Sequence, residues 1–239
     1  MKYQLAAIGL VIVVTCLALF CRTRSRVPVD GVDGMAHLWE LLFADQSLAE
    51  FLSDRSAGDW PEFRQALVAS EQGRNQEAVS VLKEVLTRPD IETRTTLVIW
   101  GVLREFGESP PPMEADVVRG VVYEVPLEMD AVVLAVYSDG RARLYSRKGK
   151  AVIWEATGHV EISALLERVL ADGQALIAVA SPGRKRKPIA RGVHRVTLLT
   201  FGGNRTFEAR VSDPLPIHAS AAELIRFLTS KVEGSERRE

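Results

Sequence analysis

The residues best suited to chemistry in this chain are cations. Arg184, Lys185, Arg186 and Lys187 stand in an unbroken row behind Ser181-Pro182-Gly183, and Arg191 follows three residues after Pro188. Four adjacent positive charges in a loop suit phosphate, on nucleic acid or on anionic lipid headgroups, and each is worth up to about 1 kcal/mol near a charged membrane surface. The loop has no aromatic side chain on which a base would stack, which favours lipid over nucleic acid. A solvated hairpin loop accounts for the same run without any ligand.

Other reactive types are dispersed. Glu124, Glu128 and Asp130 gather near an expected strand end, where they could form an acid-base pair, although carboxylates at a solvated turn explain them as well. The four histidines, His37, His159, His194 and His218, have no Cys, His or carboxylate partner at metal-ligand spacing, so neither a structural metal nor a cofactor is expected. A nucleophile elbow, a phosphate-binding glycine loop and a dinucleotide fingerprint are missing, and Gly202-Gly203 lacks the Lys-Ser/Thr pair of a phosphate loop. The sequence therefore offers no catalytic residue, and an enzyme of unrecognised class stands second to a binding protein.

A membrane is the natural source of anionic headgroups, and the first residues point to one. An apolar run from Tyr3 to Cys21, with Leu5, Ile8, Val11, Val14, Leu17 and Phe20 along it, ends at Arg22, Arg24 and Arg26. At roughly 1.5 Å per residue, some 16 to 19 residues reach most of the way across a hydrocarbon core of about 30 Å. A cleaved secretory signal is the competing reading, but Ala18-Leu19-Phe20-Cys21 lacks small residues at both cleavage positions. The expectation is an uncleaved single span over residues 1–21. Three arginines against Lys2 and the free amine favour a cytoplasmic location for the bulk of the chain. Both cysteines, Cys16 and Cys21, fall inside the run, so the remainder needs no oxidising compartment.

Breakers divide the rest of the chain. Pro28, Gly31 and Gly34 mark a linker over 22–34, and Pro110-Pro111-Pro112 marks a second, extended one over 109–116. Between them, residues 35–108 carry helical periodicity. Leu38, Leu41, Leu42 and Phe43 recur at near-helical spacing, a helix starts at Asp59 or Trp60 with Pro61 in its first turn, and a further helix spans about 91–106. Gly73 followed by Ala78 and Pro89 resembles the second half of a tetratricopeptide repeat, with its glycine turn, close-packing alanine and terminal proline. The likeness covers about residues 61–89. Ala66 and Ala69 depart from it where that family shows glycine and an aromatic ring, and no second copy is visible. The resemblance implies a helical hairpin and, by analogy with the family, a surface for a protein partner.

Past the prolines the period shortens. Runs at 117–125, 131–137, 141–146, 151–155, 176–179, 193–200 and 205–211 are expected strands, with hairpin turns at Asp139-Gly140 and Lys148-Gly149. Two amphipathic helices are expected, over 161–172 with Gly173 just past its end, and from about Ser220 to Gly234. The resulting fold class is α+β: a transmembrane helix, a small all-α module, then an antiparallel sheet packed with two helices over 117–234 and a charged tail at 235–239. In outline the order of elements resembles the roadblock or profilin-like arrangement.

Charge separates these parts. Residues 27–116 carry 7 basic against 17 acidic side chains, and residues 117–239 carry 19 against 14. Opposite signs favour docking of the two modules, or separate partners for each. The sequence taken together suggests a membrane-anchored interaction or scaffold protein without catalysis, whose α+β domain binds a protein, anionic lipid or, as an alternative, nucleic acid.

Overall fold

The computed structural model describes residues 40–53, 60–126, 131–146, 151–155, 160–183 and 189–236. The apolar run at 1–21, the linker at 22–34, His37, His159, Glu128, Asp130, the Lys148-Gly149 turn and the Arg184–Lys187 row lie outside them. Among the described residues no helix is long and apolar enough to cross a membrane.

The helices whose bounds fall among the described residues before the sheet begin with α1 (Leu48–Ser53), α2 (Pro61–Glu71), α3 (Asn75–Val85) and α4 (Thr93–Glu105). A capping box starts α1. The Glu50 N–H donates to Ser47 Oγ, and the Ser47 N–H donates to Glu50 Oε2 at 2.9 Å. That backbone hydrogen bond holds the Glu50 carboxyl below its usual range. Pro61 occupies the first turn of α2, where its missing N–H costs nothing. Gly73 (φ 73°) then reverses the chain, letting the Arg74 N–H donate to Ala69 O at 2.8 Å. Gly107 ends α4 in the same way, with the Glu108 N–H donating to Leu103 O at 2.9 Å. The extended linker expected at 109–116 instead holds a helical turn, α5 (Pro112–Ala115), with its proline in the first turn and Pro110 buried behind it.

The strands are β1 (Val118–Pro126), β2 (Ala131–Tyr137), β3 (Ala142–Ser146), β4 (Ala151–Trp154), β5 (Ser181–Pro182), β6 (Val193–Thr200) and β7 (Arg205–Arg210). They form one antiparallel sheet in the order β4-β3-β2-β1-β6-β7-β5. The helices α6 (Val160–Leu176) and α7 (Pro216–Glu236) complete the α+β fold. An extra residue bulges β1 between Val118 and Gly120, where glycine eases close packing: a Cβ on Gly120 would lie a tight 3.0 Å from Leu199 and 3.1 Å from Tyr137.

Both faces of this sheet are covered. On one, Val121, Tyr123, Leu134, Leu144 and Leu198 pack against Ile162, Leu166 and Val169 of α6 and Leu224 and Leu228 of α7. On the other, Val122, Val133, Ala135 and Leu199 share a core with Phe51, Phe63, Leu82, Ile99 and Leu103 of the first four helices. The helical segment and the sheet are thus two layers of one packed body, and α6 with α7 makes a third. Hydrocarbon supplies most of the contact. The ion pairs joining the acidic and basic halves, Glu92–Arg141 (3.5 Å), Glu114–Arg119 (3.3 Å) and Asp116–Arg205 (2.8 Å), are all partly exposed and contribute little each.

Element ends differ from expectation in several places, and the last helix runs through Gly234 to Glu236 instead of ending at Gly234. Residues 176–179 are the end of α6 and the turn after it, and β5 lies further on at Ser181–Pro182. Gly173 is inside α6, not past its end. It is buried where the helix crosses β1, and a Cβ there would come 2.6 Å from Val121 Cγ2. The last helix starts earlier than expected, at Pro216, where proline again fits a first turn.

Candidate functional site

Three polar side chains meet beneath α7. On β1 the alternation of faces puts Tyr123 with Val121 and Val125 on the side covered by α6 and α7, and β6 places His194 on that side with Val196 and Leu198. Tyr123 pairs with Val196, two residues along from His194, within reach of a ring. The first turn of α7 brings His218 down from above. Tyr123 Oη lies 2.7 Å from Nδ1 of His218 and hydrogen-bonds Nδ1 of His194, and the two Nδ1 atoms are 3.4 Å apart. The imidazoles meet edge to face, with centroids separated by 4.8 Å.

The protons can be placed. Oη has one to give, so it donates to one Nδ1 and accepts from the other. His218 Nε2 is buried with no hydrogen-bond partner among the described residues, and a bare lone pair is cheaper to leave there than an N–H. His218 therefore carries its proton on Nδ1 and donates to Oη, and Oη–H donates to His194, which is protonated on Nε2. Burial lowers the His194 pKa to about 4, with the nearby His218 acting in the same direction. Burial also lowers His218, with Asp213 opposing, and it raises Tyr123. All three groups are held neutral.

This spacing belongs to a hydrogen-bonded chain and not to a metal centre. Ligands of a tetrahedral ion with bonds near 2.0–2.1 Å stand about 3.3 Å apart, and Oη is closer than that to both nitrogens. Among the described residues no group of three or more His, Cys, Asp or Glu could hold a metal ion. Tyr123 and His194 are 2% and 3% exposed, and His218 is partly exposed. What the cluster can do is hold and pass a proton.

The residues singled out by sequence fall elsewhere. Glu124 is not at a solvated turn: it is 4% exposed in β1, and its Oε2 lies 3.7 Å from the buried Arg195, which also donates to Glu208 at 2.8 Å. Arg191 is exposed in the turn before β6. Gly183, the residue before the Arg184–Lys187 row, is fixed at the sheet edge, where its N–H donates to Asn204 O at 2.7 Å. In the hairpin of α2 and α3, Ala66, Ala69 and Ala78 are fully buried, and Arg88 lies 4.5 Å over the Trp60 ring and 3.4 Å from Glu62. His194 and His218 are not scattered, as their 24-residue separation suggests. The readable sign is parity, since His194 stands at an apolar position of the period-two pattern that Val196 and Leu198 continue.

No family model, no curated protein and no solved structure matches the chain.

Proposed function

We propose that the protein is a non-catalytic interaction protein tethered to a membrane by its first 21 residues, with the packed body on the cytoplasmic side. The supporting observation is that both faces of the sheet are filled by helices, which leaves the outer surface for partners. The outer side of the α2–α3 hairpin, resembling a single tetratricopeptide unit, is the surface offered to a protein partner. Membrane extraction tests the tether. The full chain stays with membranes at alkaline pH, and a chain lacking residues 1–26 is released into the soluble fraction; release of the full chain overturns the reading.

A second reading places Arg184, Lys185, Arg186, Lys187 and Arg191 against anionic lipid. The anchoring of Gly183 to the β6–β7 turn supports it, because the residue just before the row is tied to one edge of the sheet. Vesicles containing phosphatidylserine bind the chain lacking residues 1–26, and changing residues 184–187 to Ser abolishes binding. Binding that survives the change, or is absent at the start, removes this reading.

A further inference from the structure

We infer that the Tyr123–His194–His218 cluster is an acid-sensitive latch, which holds the first turn of α7 on the sheet while both imidazoles are neutral and releases it when either takes a proton. The latch is independent of the proposed tether and partner surface.

Geometry makes the latch a matter of proton count. Two shared protons satisfy Oη and both Nδ1 atoms. A third proton taken by His194 puts N–H on both Nδ1 atoms, 3.4 Å apart, and leaves the hydroxyl proton of Tyr123 without an acceptor. Taken by His218 instead, it leaves those bonds in place but creates a buried Nε2–H facing no partner among the described residues. The positive end of α7 lies beside His218 and opposes a positive charge there.

Few charges nearby relieve this. On β1 and β6, Glu124 and Arg195 are on the opposite face and interact with each other, and Glu208 of β7 joins them. On α7, Glu223 pairs with Arg168 of α6 at 2.7 Å, and Arg226 donates to Ala222 O. Glu161 and Glu167 of α6 are exposed, Asp172 is half-buried, and Arg210 of β7 is exposed. Asp213, in the loop before α7, is the one carboxylate among the described residues whose field favours the His218 imidazolium, and its Oδ2 accepts the Arg210 N–H at 2.9 Å. No carboxylate hydrogen-bonds either ring among the described residues.

Lowered imidazole values fix the sign. An unfolded or released imidazole titrates at about 6.5, so the latched state carries no penalty above that pH and loses ground as pH falls from 6.5 toward 4. The latched His194 shifts the closed-to-open ratio by about tenfold per pH unit across that window, and His218, also lowered by burial, acts in the same direction.

Hydrogen exchange on the full chain, corrected for intrinsic rates, tests this at pH 7 and pH 5. Amides over 213–224 lose protection at least tenfold at pH 5, those over 78–103 keep theirs, and the His194→Gln/His218→Gln double variant shows no such loss. Unchanged protection at 213–224, an equal loss over both segments, or the same loss in the variant overturns the latch. If the variant does not fold, an NMR titration of the wild-type imidazole C2 protons decides. Midpoints below pH 6 for both rings support the latch, and a midpoint at or above pH 6 for either ring overturns it.

Discussion

The two faces of the sheet are both packed with hydrocarbon, yet they bury different kinds of polar group. Beneath α6 and α7 the polar groups are imidazoles and a phenol, neutral and linked to each other. Beneath α1–α4, besides the Glu124–Arg195 pair, hydroxyl, amide and guanidinium groups hold backbone carbonyls: Tyr137 Oη donates to Leu42 O at 2.8 Å, Asn204 Nδ2 to Phe43 O at 3.0 Å, and Arg104 to Phe201 O. None of these carbonyl-holding groups changes charge near neutral pH; burial pushes the Tyr137 hydroxyl further up. The difference teaches that layers of equal apolar content need not respond alike to their surroundings. Acidification should loosen one face and spare the other.

Mutations can probe whether the faces are one cooperative unit. The largest effect is expected from Phe63→Ala, which empties the centre of the four-helix layer where Phe63 meets Phe51 edge to face at 5.1 Å, at a cost of about 3–5 kcal/mol. Urea unfolding followed by far-UV circular dichroism reads it: a single transition moved to lower urea joins the faces, and two separated transitions break the comparison into independent layers. Gly173→Ala strikes the opposite face. Its Cβ would press on the stiff Val121, costing about 1–3 kcal/mol, against which alanine returns up to about 1 kcal/mol of helix propensity, and a net loss in melting temperature is expected. A stabilised Gly173→Ala protein would show that α6 can lift from β1 freely. The smallest change, Tyr137→Phe, leaves the Leu42 carbonyl without its donor and should cost about 1 kcal/mol without altering the pH dependence of stability. A pH-dependent loss in that variant would mean that the two faces are not electrically separate.

Much of this architecture is legible in the chain. The runs at 131–137 and 193–200 coincide with β2 and β6 because turn residues and charges bound each Val- and Leu-rich stretch. Helix starts at Pro61 and stops at Gly73 and Gly107 follow from backbone chemistry alone. The Ser47-x-x-Glu50 box is equally local but shorter than the periodic signal beside it. Coverage of both faces shows only indirectly: Ala-Val-Val-Leu-Ala-Val-Tyr has no polar alternation, as a strand buried on both sides requires. The stretch at 176–179 misleads because an apolar helix end followed by a turn has no period of its own. Gly173 passes for a stop because glycine serves equally for close approach, and only the third dimension tells the two uses apart. The Tyr-His-His cluster is hidden for the same reason, since three elements distant in sequence supply one group each.

The middle of the sheet is made by β1 and β6, with Tyr123 opposite Val196. During synthesis, β1 to β4 can form their meander as soon as they leave the ribosome, but the other edge of β1 stays open until β6 has also emerged. For that interval the nascent chain presents an unpaired strand reading Val-Arg-Gly-Val-Val-Tyr-Glu-Val-Pro, a template for pairing with any neighbouring extended chain. Charged side chains that commonly guard an edge are sparse here, because in the finished molecule β1 is never an edge. The protein's exposure to aggregation is therefore greatest before it is complete, and a pause in translation between residues 137 and 193 would lengthen it.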